Sequence, residues 1–318
     1  MNGWEGRLVP FKFQLSDLTL FSVSLRLEVR AERLTDQTQP VDEPAPPGDE
    51  LAERSQGFAI RGLPIAAELP PLSRVGDYLR YVPLQYQHCY IDLGQSFEDY
   101  KKKFSSKTRS TINRKIRKYA DRCGGSIPWK TYTTPAAMRE FFRYARTVSS
   151  KTYQQRLLDA GIPESEDFVR QGESLAAAQR VRAYVLFDGE RPVSYLYCPV
   201  NDGIVVYAYL GYDPEYAKMS VGTVLQWLAV EQLLNEGRFR YFDFTEGQSE
   251  HKRIFATHQR QCANVFFVKR TLRNTLLIRS HLFMNRFSKW LGATLDRLGL
   301  KTKIRRFWRL GKAIHGRR

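Results

Sequence analysis

A chain of 318 residues has room for one large domain or two of about 150. Its 42 % apolar and 13 % aromatic content supplies ample core material. The net charge of +17 is uneven: Lys269–Arg318 holds 15 Lys/Arg against Asp296 alone, Lys101–Arg122 holds 10 against Asp121 alone, and the remainder is slightly acidic. Two concentrated basic segments point to a specific anionic partner rather than a general adaptation. Cys89, Cys123, Cys198 and Cys262 form no CxxC pair and have no His at ligand spacing. Neither a zinc site nor a disulfide framework is expected, and no metal. MNGWEGRLVPF lacks the apolar core of a signal peptide, and no uncharged apolar run reaches the roughly 18 residues of a membrane span. The expected location is therefore cytoplasmic.

Arg7 to Leu34 alternates loosely, through Val9, Phe11 and Phe13 and then Phe21 to Val29, and predicts two or three strands. The acidic, Pro-rich stretch 35–50 shows no periodicity and reads as a mobile surface loop or a linker. Ser96 opens a short helix with Asp99 at the reciprocal capping position. A second helix follows from about Lys107 to the Gly124-Gly125 stop, with Ile112, Ile116 and Tyr119 on one face. Arg109, Arg114 and their basic neighbours cover the rest, as either a solvated face or a groove for a phosphate-bearing substrate. Thr134 and Pro135 start a long helix, Ala136 to Ala160, with a break expected near Ser149-Ser150. The polar run Lys151, Thr152, Tyr153, Gln154 after its apolar stripe either lines a pocket or is a helix end facing water. Another helix is expected over Glu164–Gln179. Strands Val181–Phe187 and Val193–Pro199 meet across Asp188-Gly189, and Asn201-Asp202-Gly203 turns into the next strand, so the sheet is expected to be antiparallel here.

The central stretch runs Val205 to Phe255. Val205–Leu210 reads as one strand buried on both faces. Ser220 caps a helix with Val221, Val224, Leu225, Leu228, Ala229 and Leu233 inward, and Gly237 stops it. Its first turn, Ser220, Val221, Gly222 and Thr223, is small and uncharged, which suits an anion such as a pyrophosphate. Phe239–Phe244 forms an aromatic strand that delivers Asp243 to a turn with Glu246, Gly247 and Lys252. Val265–Val268 completes the sheet. Thr271 to Leu298 reads as an amphipathic helix or helix pair with Leu272, Leu276, Phe283, Phe287, Trp290, Leu291 and Leu295 apolar. The very basic 301–318 suits an interfacial helix on anionic lipid, a helix packed on the domain with a frayed tail, or a grip on nucleic acid.

The run FDF-x-EG-x₄-K-x₂-F, with SVGTVL before the central helix and SSKTYQQRLLDAG upstream, resembles the FemAB-like, cellulose-biosynthesis-type branch of the GNAT acyltransferases. The likeness covers about Leu93 to Phe267, and its parts come in the family's order. It implies an α/β (α+β) fold, a mixed and largely antiparallel GNAT-like sheet flanked by helices. Two GNAT-like halves are implied, residues 1–130 and 131–270, ahead of a basic helical tail over 271–318. It also implies acyl transfer from acyl-CoA, acetyl-CoA among the candidates, to an amine or hydroxyl of a cell-envelope or polysaccharide precursor. The donor's pyrophosphate would lie at Lys218, Ser220, Val221, Gly222 and Thr223, although the family's loop is richer in Gly and basic residues. Some FemAB-like relatives use aminoacyl-tRNA instead, which makes tRNA a second candidate partner.

Such a reaction needs a base and a proton donor for the leaving group. Asp243 and Glu246 stand at the exit of a buried strand, where desolvation can raise a carboxylate pKa. Lys252 would pair with one of them or with phosphate, and an Asp243–Lys252 ion pair fixing the turn is equally consistent. Tyr153, Tyr207 and Tyr209 could serve the leaving thiolate or simply fill the core. Lys151, Tyr153, Gln154, Arg109, Arg114 and Tyr207 are the candidate substrate contacts. No GxSxG occurs, so a Ser/His/Asp hydrolase is not expected. A non-catalytic GNAT-like protein holding anionic lipid or nucleic acid remains the reading from outside the enzyme class. For an enzyme, a peripheral position on the inner membrane surface would fit the basic tail.

Overall fold

Val9, Phe11 and Phe13 are buried while their neighbours along β1 (Glu5–Leu15) lie outward, so one face of the strand enters a core. β1 pairs antiparallel with β2 (Leu18–Ala31), which gives two strands over the N-terminal stretch. The computed structural model describes residues 3–15, 18–36, 38–152, 161–247 and 249–297. It divides into a first unit of Met1–Arg33, Thr38–Gln85 and Cys262–Arg318 and a second of Leu34–Gln37 and Tyr86–Gln261.

In the first unit, β2 runs parallel to β3 (Gly57–Pro64), and β4 (Leu72–Val75) pairs with the start of β5 (Tyr78–Asp92). The residues from Cys262 onward of the last strand, β12 (His258–Lys269), lie antiparallel to β3. That strand is longer than the Val265–Val268 segment expected. Gly57 has φ +156°, and a Cβ there would stand 1.9 Å from the Phe267 carbonyl oxygen, so only glycine lets β3 come this close. The acidic stretch is tied down: Val41 bridges to Ile65, Arg80 donates to the Pro44 carbonyl at 3.2 Å, and Trp4 donates to Asp49 at 2.8 Å. The C-terminal helix α7 (Leu272–Arg297) packs on β1 and sends Ile278 into a core of Val9, Phe11, Leu25, Tyr81 and Phe266. Five of the apolar side chains expected along it are exposed. Leu272, Leu276, Phe283, Phe287 and Trp290 face away, and the inward face is Asn274, Ile278 and His281.

The second unit holds α1 (Phe97–Lys102), α2 (Ser106–Arg122), β6 (Trp129–Tyr132), α3 (Pro135–Ser149) and α4 (Glu166–Ala177) before its central strands. Ser96, Ser105 and Ser165 cap α1, α2 and α4 through their hydroxyls, as short polar residues with free lone pairs do. α3 stops at Ser149, and residues 153–160, the remainder of the long helix expected there, lie outside the described residues. β7 (Val181–Asp188) and β8 (Arg191–Asn201) pair antiparallel, and β6 adds to β7. β7 and β8 are near-continuous apolar runs because both faces are covered. Ala183, Val185, Tyr195 and Tyr197 pack under α3 and α4, whereas Tyr184, Leu186, Leu196 and Cys198 face the opposite core. That opposite core is filled by α5 (Val221–Glu236), which buries residues all round, Trp227 and Gln226 among them.

The single strand expected over Val205–Leu210 is two. β9 (Ile204–Val206) pairs with β8 at Val205↔Val200, and β10 (Tyr209–Tyr212) pairs with β8 at Tyr209↔Tyr197. One more residue separates the pairs on this side than on β8, which is a β-bulge at Tyr207–Ala208. β11 spans only Tyr241–Asp243, shorter than the Phe239–Phe244 strand expected. It runs parallel to β9 and antiparallel to the end of β5, and leads to α6 (Glu250–Phe255), capped by Ser249. The order in this unit is β5-β11-β9-β8-β7-β6, with β10 also on β8.

Two measurements test this packing. His281 Nε2 contacts the Lys12 carbonyl at 3.1 Å and its Nδ1 meets the Tyr81 hydroxyl at 2.7 Å, a pattern that a neutral imidazole satisfies completely. Burial lowers its pKa, opposed by the bond to Lys12. The unfolded chain then takes up a proton first, so stability present above about pH 6.5 is lost as pH falls toward the lowered folded value. The melting temperature should drop between pH 8 and 5, and less steeply in His281→Gln; equal slopes would remove His281 from this account. In β10, a Cβ on Gly211 would stand 2.4 Å from the Tyr195 ring, whereas one on Gly222 finds its nearest neighbour, Leu210, at 3.4 Å. Denaturant midpoints should show Gly211→Ala losing ~1–3 kcal/mol by overpacking and Gly222→Ala losing well under that.

Candidate active site

The bulge at Tyr207–Ala208 parts the sheet. β9 stays beside β11 as far as Val206↔Asp243, and the Tyr207 amide still donates to the Asp243 carbonyl at 2.9 Å. Beyond that bond β10 follows β8 alone, and its other edge carries no strand among the described residues. The chain leaves β10 through Asp213 and a 3-10 turn, Pro214–Met219, then enters α5. Ser220 stands at the expected cap position but in the left-handed region, φ 54° and ψ 37°, and its side chain makes no capping bond. Its carbonyl takes the Thr223 and Val224 amides at 2.9 and 3.1 Å. The hydroxyl is thus withdrawn from the helix start, and Val221 and Gly222 begin α5 without a side-chain cap. Lys218 is exposed beside this turn, and Lys118 Nζ reaches its carbonyl at 3.4 Å.

Asp213 is buried and holds the loop that follows β10. Its Oδ2 accepts from Lys151 Nζ at 2.9 Å and from Arg191 at 2.6 Å, and Oδ1 accepts the Glu215 amide at 3.1 Å. Burial pushes its pKa upward, but the bonds from Lys151 and Arg191 outweigh it and hold the carboxyl below its ordinary value. Lys151 is therefore engaged by a structural carboxylate. Tyr153 and Gln154 lie outside the described residues.

Asp243 leaves β11 on the face opposite Phe242 and Phe244, which enter the core. Its Oδ1 meets His88 Nε2 at 2.6 Å and accepts the Thr245 amide at 2.6 Å. The side chains are only 8 % (His88) and 17 % (Asp243) exposed. Asp243, a candidate base from the sequence, is thus half of an Asp–His pair, and no ion pair joins it to Lys252 among the described residues. His88 escaped sequence reasoning, although a signal existed. Tyr86, His88 and Tyr90 alternate along β5, so all three share one face, with ring centroids 6.0 and 6.3 Å apart. Tyr90 also stacks on His258 at 5.3 Å.

Lys252 Nζ donates to the Glu246 carbonyl at 2.7 Å and so closes the turn after Asp243. Burial lowers its pKa, with Cys89, Asp243 and Glu246 acting the other way. The turn thus gathers Asp243, Glu246 and Lys252 as the sequence spacing suggests. Next to it, His251 meets the buried Gln226 Oε1 of α5 at 2.6 Å, and desolvation lowers the imidazole's pKa. Tyr207 packs on Phe242 and Phe244, and burial raises its phenol pKa. Tyr209 packs on Tyr197 and Phe168. Tyr207 lies in the bulge and Tyr209 just beyond it, and they enter different aromatic clusters.

A groove along α2 is lined by Ser106, Arg109, Asn113, Arg114, Arg117 and Lys118. Arg122 is committed to Asp188 at 2.6 Å. Arg109, Arg114, Lys115 and Arg117 make no ion pair among the described residues, so their charge is available to an external anion. No cluster of three His, Cys, Asp or Glu with metal-binding geometry occurs among those residues.

Residues 106–253 match the family model described as acetyltransferase (GNAT) domain. No curated protein matches the chain. Among solved structures the chain is similar to FemX, at 9 % identity over 83 % of this chain and 88 % of that one, with a TM-score of 0.48. It is also similar to the C-terminal domain of a protein described as a lysylphosphatidylglycerol synthetase from Agrobacterium fabrum, at 10 % identity over 70 % and 71 % of the two chains and a TM-score of 0.45. A GCN5-related N-acetyltransferase from Kribbella flavida aligns at 9 % identity over 59 % and 60 %, with a TM-score of 0.33. The match to that family model thus spans just under half of the chain, and the mixed, largely antiparallel strands flanked by helices are consistent with a GNAT fold.

Proposed function

We propose that the second unit transfers an acyl group from acyl-CoA to an amine or hydroxyl of a cell-envelope or polysaccharide precursor at the inner membrane surface, as the FemAB-like, cellulose-biosynthesis branch would. The observation that carries this reading is the parting of β10 from β11, with an uncapped helix start on the strand that turns away. The open edge of β10 offers backbone groups to an extended amide-bearing donor arm. The amides that open α5 and the exposed Lys218 offer positive potential to its pyrophosphate, with acetyl-CoA as the simplest donor. Gly222 keeps that approach low.

In the reaction the acceptor nitrogen or oxygen attacks the thioester carbonyl carbon, a C–N or C–O bond forms, and the C–S bond breaks. The nucleophile's proton passes to the His88–Asp243 pair, where the carboxylate orients the imidazole and stabilises its charged form. Glu246 is the second candidate base. The departing thiolate takes a proton, for which Tyr209 and Tyr207 are the candidate donors. Lys252 keeps the turn that carries Asp243 and Glu246 in place. A second reading, with aminoacyl-tRNA as donor, is favoured by the unpaired Arg109, Arg114, Lys115 and Arg117 on α2.

Thermal unfolding with CoA and acyl-CoAs tests the first reading. A ligand at about 100 times its Kd adds ~2.7 kcal/mol to the folded state. The resulting rise in melting temperature should appear in the parent protein and vanish in Gly222→Trp. Asp243→Asn should lower kcat by about 100-fold or more while the CoA shift persists. Absence of any shift with every CoA species, together with salt-sensitive tRNA binding lost in Arg109→Glu/Arg114→Glu, would replace acyl-CoA by aminoacyl-tRNA.

A further inference from the structure

α7 has a buried inward face and a separate apolar outward one. Residues 272, 276, 283, 287 and 290 fall within about 60° of arc at 100° per residue, and Asn274, Ile278 and His281 lie on the opposite side. The inward face is buried in the first unit, with Ile278 in its core, His281 hydrogen-bonded to Tyr81, and Asn274 Nδ2 donating to the Lys269 carbonyl at 3.0 Å. The outward face is an apolar strip whose most exposed members include Leu272 at 89 %, Leu276 and Phe283 at 68 %, and Trp290 at 60 %. Phe283, Phe287 and Trp290 stack in series, with centroids 6.2 and 5.8 Å apart. Packing explains the inner stripe and leaves the outer one unexplained, since a helix needs only one apolar face to dock on a sheet.

The charges beside the strip identify what covers it. Arg279 and Arg286 border it on one side and Arg273 on the other, Lys289 lies further round, and all are exposed. None of the four makes an ion pair among the described residues. From Leu272 to Leu295 the sequence has no acidic residue, and beyond α7 it adds eight Lys/Arg with no acid. A second copy docked on this face would set arginine against arginine with no carboxylate between them. A nucleic acid would meet a hydrophobic centre where it needs cations. A bilayer with anionic headgroups satisfies both parts at once, because the apolar strip enters the acyl boundary and the arginines extend to the phosphates. No described helix is long and apolar enough to cross a membrane. We propose that the outer face of α7, Leu272, Leu276, Phe283, Phe287 and Trp290, is an in-plane docking surface for an anionic lipid bilayer.

Flotation of the full chain with phosphatidylcholine vesicles, with and without roughly one-third phosphatidylglycerol, tests the proposal. The parent should float with the anionic vesicles. Phe283→Ser/Phe287→Ser/Trp290→Ser should partition at least about tenfold less, with an unchanged melting temperature because these side chains leave the core intact. Brominated phosphatidylglycerol should quench the parent's tryptophan fluorescence more than that of Trp290→Phe. The proposal is overturned if the parent does not float with anionic vesicles, or if the triple variant floats as well as the parent. Equal quenching of Trp290→Phe and parent would also overturn it. So would a parent that sediments as a dimer, fails to float, and becomes monomeric in the triple variant, which would assign the strip to a second copy.

Discussion

One backbone hydrogen bond, from the Tyr207 amide to the Asp243 carbonyl, marks the last point at which the two middle strands of the second unit remain together. Ladder bonding cannot continue past it, because the bulge shifts the register on β8 by one residue and turns β10 along its own course. Everything of chemical interest in this unit depends on that parting. Asp243 ends β11 at the opening, the loop held by Asp213 leads away from β10, and α5 begins where the loop ends. A flat, fully paired sheet would have satisfied the same backbone groups internally and left β10 no open edge.

Buried polar groups then fix what the parted strands would otherwise leave loose. Asp213 gathers Lys151 and Arg191, Asp243 meets His88, and Gln226 meets His251. Each bond ties groups far apart in the chain, and the buried Asp213 and Gln226 keep a partner where water is excluded. A charge or dipole removed from water without one would be costly. The result is a turn after β11 in which Asp243, Glu246 and Lys252 are held close together, with His88 on Asp243 and His251 next to Lys252 in the chain.

Much of this was legible in the sequence because it is local. The serine cap of α1, the Asp202-Gly203 turn with both residues at positive φ, and the left-handed Gly237 that ends α5 are written in neighbouring residues. The bulge was not, since Val205 to Leu210 is an unbroken apolar run, and only the partner strand shows that one residue is extra. His88 was missed because its role comes from Asp243, 155 residues away. Ser220 was assigned a cap by residue type, but the 3-10 turn before it forces a left-handed backbone that carries the hydroxyl out of reach. In α7 the helical period is legible in the sequence, but which face turns inward is not. Large apolar residues on one face normally mean core, and here the inward face is instead built from Asn274, Ile278 and His281.

That inward face makes α7 a structural member of the first unit, whatever covers its other side. Ile278 fills space among Val9, Phe11 and Leu25, and His281 spans Tyr81 and the Lys12 carbonyl. A chain shortened ahead of residue 272 would lose more than basic residues. It would open the sheet face of β1, strand the Tyr81 hydroxyl without its acceptor, and leave aromatic side chains against water. A truncation between 298 and 318, by contrast, would retain every residue named in this packing, so the two cuts offer a means of separating the stability that the helix confers from whatever the terminal charges do.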